Sequence, residues 1–113
     1  MRNKEKVKEL QKRKKEVGKM PRALYQGTVI AESNETILLE GNHYFPPQAV
    51  KQEYLVPSSY KTTCPWKGEA SYYHVQVGNK RSENAAWSYP HPKEAAKHIA
   101  GYIAFWKDVT VEE

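Results

Sequence analysis

From residue 23 onward, apolar and polar positions alternate in short runs that glycine, proline and asparagine interrupt. That is the rhythm of short strands rather than of amphipathic helices. Ala23–Ala31 sets Leu24, Thr28 and Ile30 on one face and Tyr25, Gly27, Val29 and Ala31 on the other, which predicts a strand. Ser33-Asn34-Glu35 supplies a turn, and Thr36–Glu40 returns as the second arm of a hairpin. Gly41-Asn42 turns the chain again, and His43–Phe45 is a short extended piece. Pro46-Pro47 halts it, because the residue before proline is pushed out of the α region and proline cannot donate to a ladder.

The second half repeats the rhythm. Gln48–Leu55 holds one helical turn, and Pro57-Ser58-Ser59 reads as a loop. Tyr60–Cys64 reads as a strand broken by Pro65. In Gly68–Val77, Ala70, Tyr72, His74 and Gln76 alternate with Ser71, Tyr73, Val75 and Val77, the clearest strand of the chain. Gly78-Asn79 turns it towards a partner over Asn84–Tyr89. One core helix is predicted over Pro92–Ala100: Pro92 suits the first helical position, Glu94 complements the dipole, and Gly101 follows Lys97 and His98 as a stop. Tyr102–Trp106 and Val109–Val111 end the chain as strands. Short strands, one helix and no βαβ repeat predict a mainly β single domain. Its antiparallel sheet folds on itself like a small barrel or sandwich, with the helix covering one opening.

Charge divides the chain in two. Residues 1–22 carry ten basic residues against three acidic ones, a net of +7. Residues 23–113 carry eight against ten, a net of −2, so the overall +5 belongs to the N-terminus. Residues 1–20 are therefore expected to form a charged arm, helical or disordered, whose thin stripe of Val7, Leu10 and Val17 stabilises an isolated helix poorly. Residues 21–113 form the domain, and Met20 is a candidate alternative start. Nucleic acid is a candidate partner only through the arm, since the domain has no basic stripe. No apolar run reaches the roughly 18 residues a membrane span needs. The first twenty residues lack the apolar core of a signal peptide, and a single cysteine, Cys64, forms no internal disulfide. A reducing cytoplasm is the expected compartment. Four histidines without clustered spacing predict no metal site.

Three blocks carry a resemblance: Glu40-Gly41-Asn42-His43-Tyr44-Phe45-Pro46-Pro47, then Thr62 to Tyr73 with Thr-Cys-Pro-Trp-Lys-Gly at its centre, then Ala85-Ala86-Trp87-Ser88-Tyr89-Pro90. With the ending Ile99 to Trp106, they resemble the family known as domain of unknown function 427, over about residues 21–113. The resemblance implies a small, compact, β-rich protein. Some members bear the label nucleotidyltransferase-like. Nucleotidyl transfer usually needs two or three carboxylates, commonly Asp, to hold Mg²⁺ against phosphates. Here there is one Asp, Asp108, and six scattered glycines make no phosphate cradle, so the label lacks its residues. The family often has Asp where this chain has Asn84.

The same blocks hold the candidate chemistry. Cys64 is the one thiol, with Lys67 three residues on to favour its thiolate and His43 or His74 as a base; as a small buried hydrophobe it would need neither. Trp66, Tyr72, Trp87 and Tyr89 either line a pocket or fill the core. Their polar company, Lys67, His43, Glu53 and Cys64, points to a small-ligand pocket, because a largely apolar site with a few convergent polar groups is how small molecules are usually held. Pro65 is expected to turn both Trp66 and Lys67 towards solvent, with His43 approaching from the opposite hairpin. Two classes follow: a small-molecule module, with or without an enzymatic reaction, or an interaction or nucleic-acid-associated protein that uses the arm. No particular cofactor or oligomeric state is implied.

Overall fold

A computed structural model describes residues 20–113; the expected arm, apart from Met20, lies outside the described residues. The chain is mainly β, and every strand pairing is antiparallel, as its patterning predicts. The described strands are β1 (Arg22–Tyr25), β2 (Thr28–Glu32), β3 (Ile37–Leu39), β4 (Asn42–Tyr44), β5 (Leu55–Cys64), β6 (Gly68–Val77), β7 (Lys80–Ser88), β8 (Ile103–Phe105) and β9 (Thr110–Glu112). They form a central sheet in the order β5-β6-β7-β8, a second sheet β2-β1-β9, and the β3–β4 hairpin. The sheets stay open and close no barrel. Phe45 continues from β4 onto the edge of β8, exchanging both backbone hydrogen bonds with Ile103 at 2.8 and 2.9 Å.

The central sheet is covered on both faces. Val75, Ala86, Ile103 and Phe105 join Ala23, Tyr25, Ile30 and Phe45 in one buried cluster, which binds the sheet to β2-β1-β9. On the other face Ala70, Tyr89 and Ala104 join Tyr44, Ala96 and Ile99, and Cys64, Tyr72 and Trp87 pack against them. The split follows from strand geometry: Ile103 and Phe105 point one way along β8 and Ala104 the other, as do neighbours Tyr44 and Phe45.

Four expectations are corrected. The predicted strand Ala23–Ala31 is a tight hairpin, because Gln26 and Gly27 both take positive φ (53° and 75°), the geometry of a two-residue turn between twisted strands. Thr36–Glu40 does not pair with it; β3 pairs with β4 across Glu40-Gly41. Pro57-Ser58-Ser59 is no loop but part of the ten-residue β5, an edge strand that tolerates proline and is bulged between Pro57 and Lys61. The helix predicted over Pro92–Ala100 is a 3₁₀ segment, Glu94–Ile99, kinked at Ala96 (φ −120°), and no side chain caps its start at Lys93. Without a cap or enough residues for successive i to i−4 bonds, the wider helix does not form. Its inward Ala96 and Ile99 still cover the sheet.

Candidate functional site

The face that carries Cys64, Tyr72, Trp87 and Tyr89 also carries a row of four rings. Tyr72 on β6 lies directly opposite Trp87 on β7, and Trp87 lies opposite Ala104 on β8. Trp106, two residues past Ala104, reaches Trp87 on the diagonal, and Tyr60 reaches Tyr72 from the β5 bulge. The ring centroids are 4.8 Å apart for Tyr60–Tyr72, 6.4 Å for Tyr72–Trp87 and 5.9 Å for Trp87–Trp106, in the range of favourable aromatic contact. Cross-strand and diagonal neighbours on one face are what bring such rings together. The outer rings are open to solvent, Tyr60 at 48% and Trp106 at 45% exposure, while Tyr72 and Trp87 are half-buried.

Three of the row's four polar tips are satisfied within the protein. The Tyr72 hydroxyl bonds Thr62 Oγ1 at 3.1 Å. Trp87 Nε1 donates to the Tyr44 hydroxyl at 3.2 Å, and Trp106 Nε1 donates to the Asn84 carbonyl at 2.7 Å. What remains for a visiting molecule is ring face and edge, with the exposed Tyr60 hydroxyl the one tip that has no partner among the described residues.

At the hairpin between β5 and β6, Trp66 and Lys67 part company. Trp66 is turned out, at 39% exposure, but Lys67 is turned in, at 6%. This corrects the expectation that both face solvent: within the turn Pro65–Lys67 the lysine side chain is directed inward, where Glu40 and the Tyr89 ring receive it. The Lys67 ammonium lies 5.2 Å from the Tyr89 ring centre and 5.6 Å from that of Trp66, and it forms an ion pair with Glu40 from the β3–β4 turn. Burial alone would lower the lysine, but the Glu40 hydrogen bond and the nearby Tyr44 and Tyr89 oxygens hold it above its ordinary range. Burial raises Tyr44 and Tyr89, against the pull of Lys67. The lysine thus stays charged. The cluster fastens β3–β4 to the central sheet rather than presenting an amine nucleophile, and its charge is directed at Glu40.

The Lys67 hydrogen bond holds the Glu40 carboxyl below its ordinary value of 4.5. A depressed folded-state value means the pair's contribution is present above the carboxylate range and lost as pH falls through the lowered value. The raised lysine keeps it present on the alkaline side until pH passes the usual lysine range. Glu40→Gln should therefore melt below the native chain at neutral pH, with the gap closing as pH drops below about 4.5. Thermal scans across that range check it; a gap that does not change with pH would contradict the pairing.

The other candidates lie apart. His43 points away from Tyr44, its β4 neighbour, so its ring leaves the aromatic face. Its Nδ1 bonds Thr36 Oγ1 at 2.8 Å and its Nε2 meets Glu113 Oε2 at 2.7 Å. Glu53 is exposed on a 3₁₀ turn, Gln52–Tyr54, whose Tyr54 packs on the opposite cluster. Cys64 is a free, half-buried thiol packed against the same buried cluster as Tyr72 and Trp87. Sequence reasoning missed Tyr44, Tyr60, Trp106 and Glu40. Tyr44 and Trp106 stood inside motif blocks and were legible as aromatics; which face they took was not.

Among the described residues no three of His, Cys, Asp or Glu converge as metal ligands, and no helix is long and apolar enough to cross a membrane. A family model described as a domain of unknown function (DUF427) matches residues 13–113. The chain belongs to this family. The DUF427 match begins inside the basic stretch, ahead of the boundary near residue 21 that the motif blocks suggest. No curated protein matches the chain.

Proposed function

We propose that this DUF427 domain binds a small ring-bearing molecule, which lies on the row Tyr60, Tyr72, Trp87 and Trp106. The observation that carries the reading is the state of the row: exposed outer rings, half-buried inner rings, and the polar tips of Tyr72, Trp87 and Trp106 spent within the protein. Two exposed aromatics flanking two half-buried ones give up apolar area when a flat molecule covers them. Binding, rather than a reaction, is the role these groups suit, because Lys67 is committed to Glu40.

Replacing Tyr60 and Trp106 together with Ala should abolish saturable quenching of tryptophan fluorescence by neutral naphthalene methanol. The variant should stay folded but lose on the order of 1–3 kcal/mol, because two ring contacts and the Trp106 hydrogen bond go with the side chains. Unchanged binding by the folded double variant would refute the reading.

Single-stranded nucleic acid is the second reading, because base stacking on such rings is sequence-tolerant and the +7 stretch would bind phosphates. It predicts salt-steep binding of single-stranded DNA that is lost on deleting residues 1–20. Binding that survives both high salt and the deletion would count against it.

A further inference from the structure

Two bulges flank β6 where the ring row crosses it. On β5 the ladder slips between Pro57 and Lys61, and between β6 and β7 it slips between Tyr73 and Val75, leaving Asn84 in the displaced stretch. Asn84 has φ +55°, a left-handed conformation that asparagine and aspartate tolerate better than other side chains do. Bulges and strained non-glycine residues gather where a side chain has to be re-aimed.

Here the re-aimed side chains meet. Ser58 Oγ donates to Asn84 Oδ1 at 2.5 Å and accepts from the Tyr60 amide at 3.1 Å. The Asn84 amide donates to His74 Nδ1 at 3.0 Å, and the Asn84 carbonyl receives the Trp106 indole. The cluster is thereby bonded to the Trp106 ring and to the backbone of Tyr60, the two ends of the row.

The groups of Asn84 and His74 left unspent are donors. Asn84 Oδ1 is taken by Ser58, so its Nδ2 retains two N–H groups. His74 Nδ1 is an acceptor, so the neutral ring carries its proton on Nε2. Among the described residues neither Asn84 Nδ2 nor His74 Nε2 has a hydrogen-bond partner. Lys107 adds an ammonium at the same end, 5.2 Å over the Trp106 ring and bonded to the carbonyl of Glu83. Glu83, on the residue before Asn84, is the acidic side chain nearest in sequence and is exposed.

We propose that Asn84 and His74 form a donor-only subsite that takes the carboxylate of an aromatic acid whose ring lies on the row. This rests on the reading of the row given above and names the ligand class for it. A carboxylate offers acceptors alone, so it matches the open N–H groups of Asn84 and His74. Charge-assisted hydrogen bonds of this kind are stronger than neutral ones.

The test is a titration of the full chain at neutral pH with naphthalene carboxylate and with neutral naphthalene methanol. The carboxylate should bind at least about tenfold more tightly, the scale of one charge-assisted hydrogen bond. Asn84→Asp keeps the left-handed backbone and the acceptor for Ser58 but replaces the donors with negative charge. It should erase the preference, weakening the carboxylate at least about tenfold more than the alcohol. Equal binding of the two probes by the native chain overturns the subsite and leaves the row standing. Failure of both probes overturns the row and the subsite together. Because the comparison on the native chain stands alone, the outcome holds even if Asn84→Asp folds poorly.

Discussion

Phe45→Ala should cost about 3–5 kcal/mol, the range for deleting a fully enclosed phenylalanine. The side chain has no solvent exposure and meets Phe105 edge-on, with ring centres 5.7 Å apart. It is also the residue at which β4 is joined to β8 by two backbone bonds with Ile103. Emptying the site removes apolar contact from the cluster that holds the central sheet to β2-β1-β9, and neighbours anchored by their own ladders cannot collapse into the space. In a domain of this size, a loss on that scale lowers the melting temperature by more than about 10 °C. Chemical denaturation of the native chain and the variant measures it. A loss under about 1 kcal/mol would mean the two sheets are not bound through this cluster.

Gly68→Ala should also be damaging, though less so and for a different reason. Gly68 opens β6 at φ +111°, a backbone conformation that side chains rarely adopt. A Cβ there would sit 3.5 Å from both the Lys93 nitrogen and the Pro92 Cα, and 3.6 Å from the His91 carbonyl, which is ordinary contact. Strain in the backbone, not collision, is therefore the main cost, of order 1–3 kcal/mol. Relief would need the hairpin to rotate, which would disturb the hydrogen bond from the Lys93 amide to the Lys67 carbonyl, 2.9 Å, and the inward aim of Lys67. The variant should lose stability and also lose the pH-dependent share that Glu40 and Lys67 contribute. A Gly68→Ala protein as stable as the native one would show that this backbone relaxes freely.

Much of the fold was legible because strands announce themselves by alternation. Gly68–Val77 was bounded correctly, and the turn at Gly78-Asn79 was placed where it occurs. Errors arose where tertiary contacts outweighed local signals. Gln26 carries no turn chemistry of its own, so the β1–β2 hairpin hid inside a β-branched run. Pro57 looked like a loop because nothing local revealed that β5 is an edge strand. The 3₁₀ segment had helical punctuation at both ends but no side chain to cap it.

The candidate site was legible in part. Tyr72, Trp87, Tyr89, Cys64 and Lys67 do gather on one face: alternation along β6 and β7 sets Tyr72 and Trp87 there, while Lys67 reaches the Tyr89 ring from the β5–β6 turn. His43 was misplaced by one residue of the same alternation, with Tyr44 pointing where it was expected. Asn84 drew notice as a departure from the family's usual residue. Its bulge, and the donors the bulge presents, depend on register across three strands, which spacing along one chain does not encode.

The most direct measurement of the central claim is the position of the three indole N–H signals in a proton–nitrogen NMR spectrum as naphthalene methanol is added. Assigned through single Trp→Phe variants, the signals separate the row from the rest of the molecule. The account predicts saturable shifts for Trp87 and Trp106, with Trp66, set beside Lys67, left in place. Shifts confined to Trp66, or none at all up to the solubility of the probe, would contradict it.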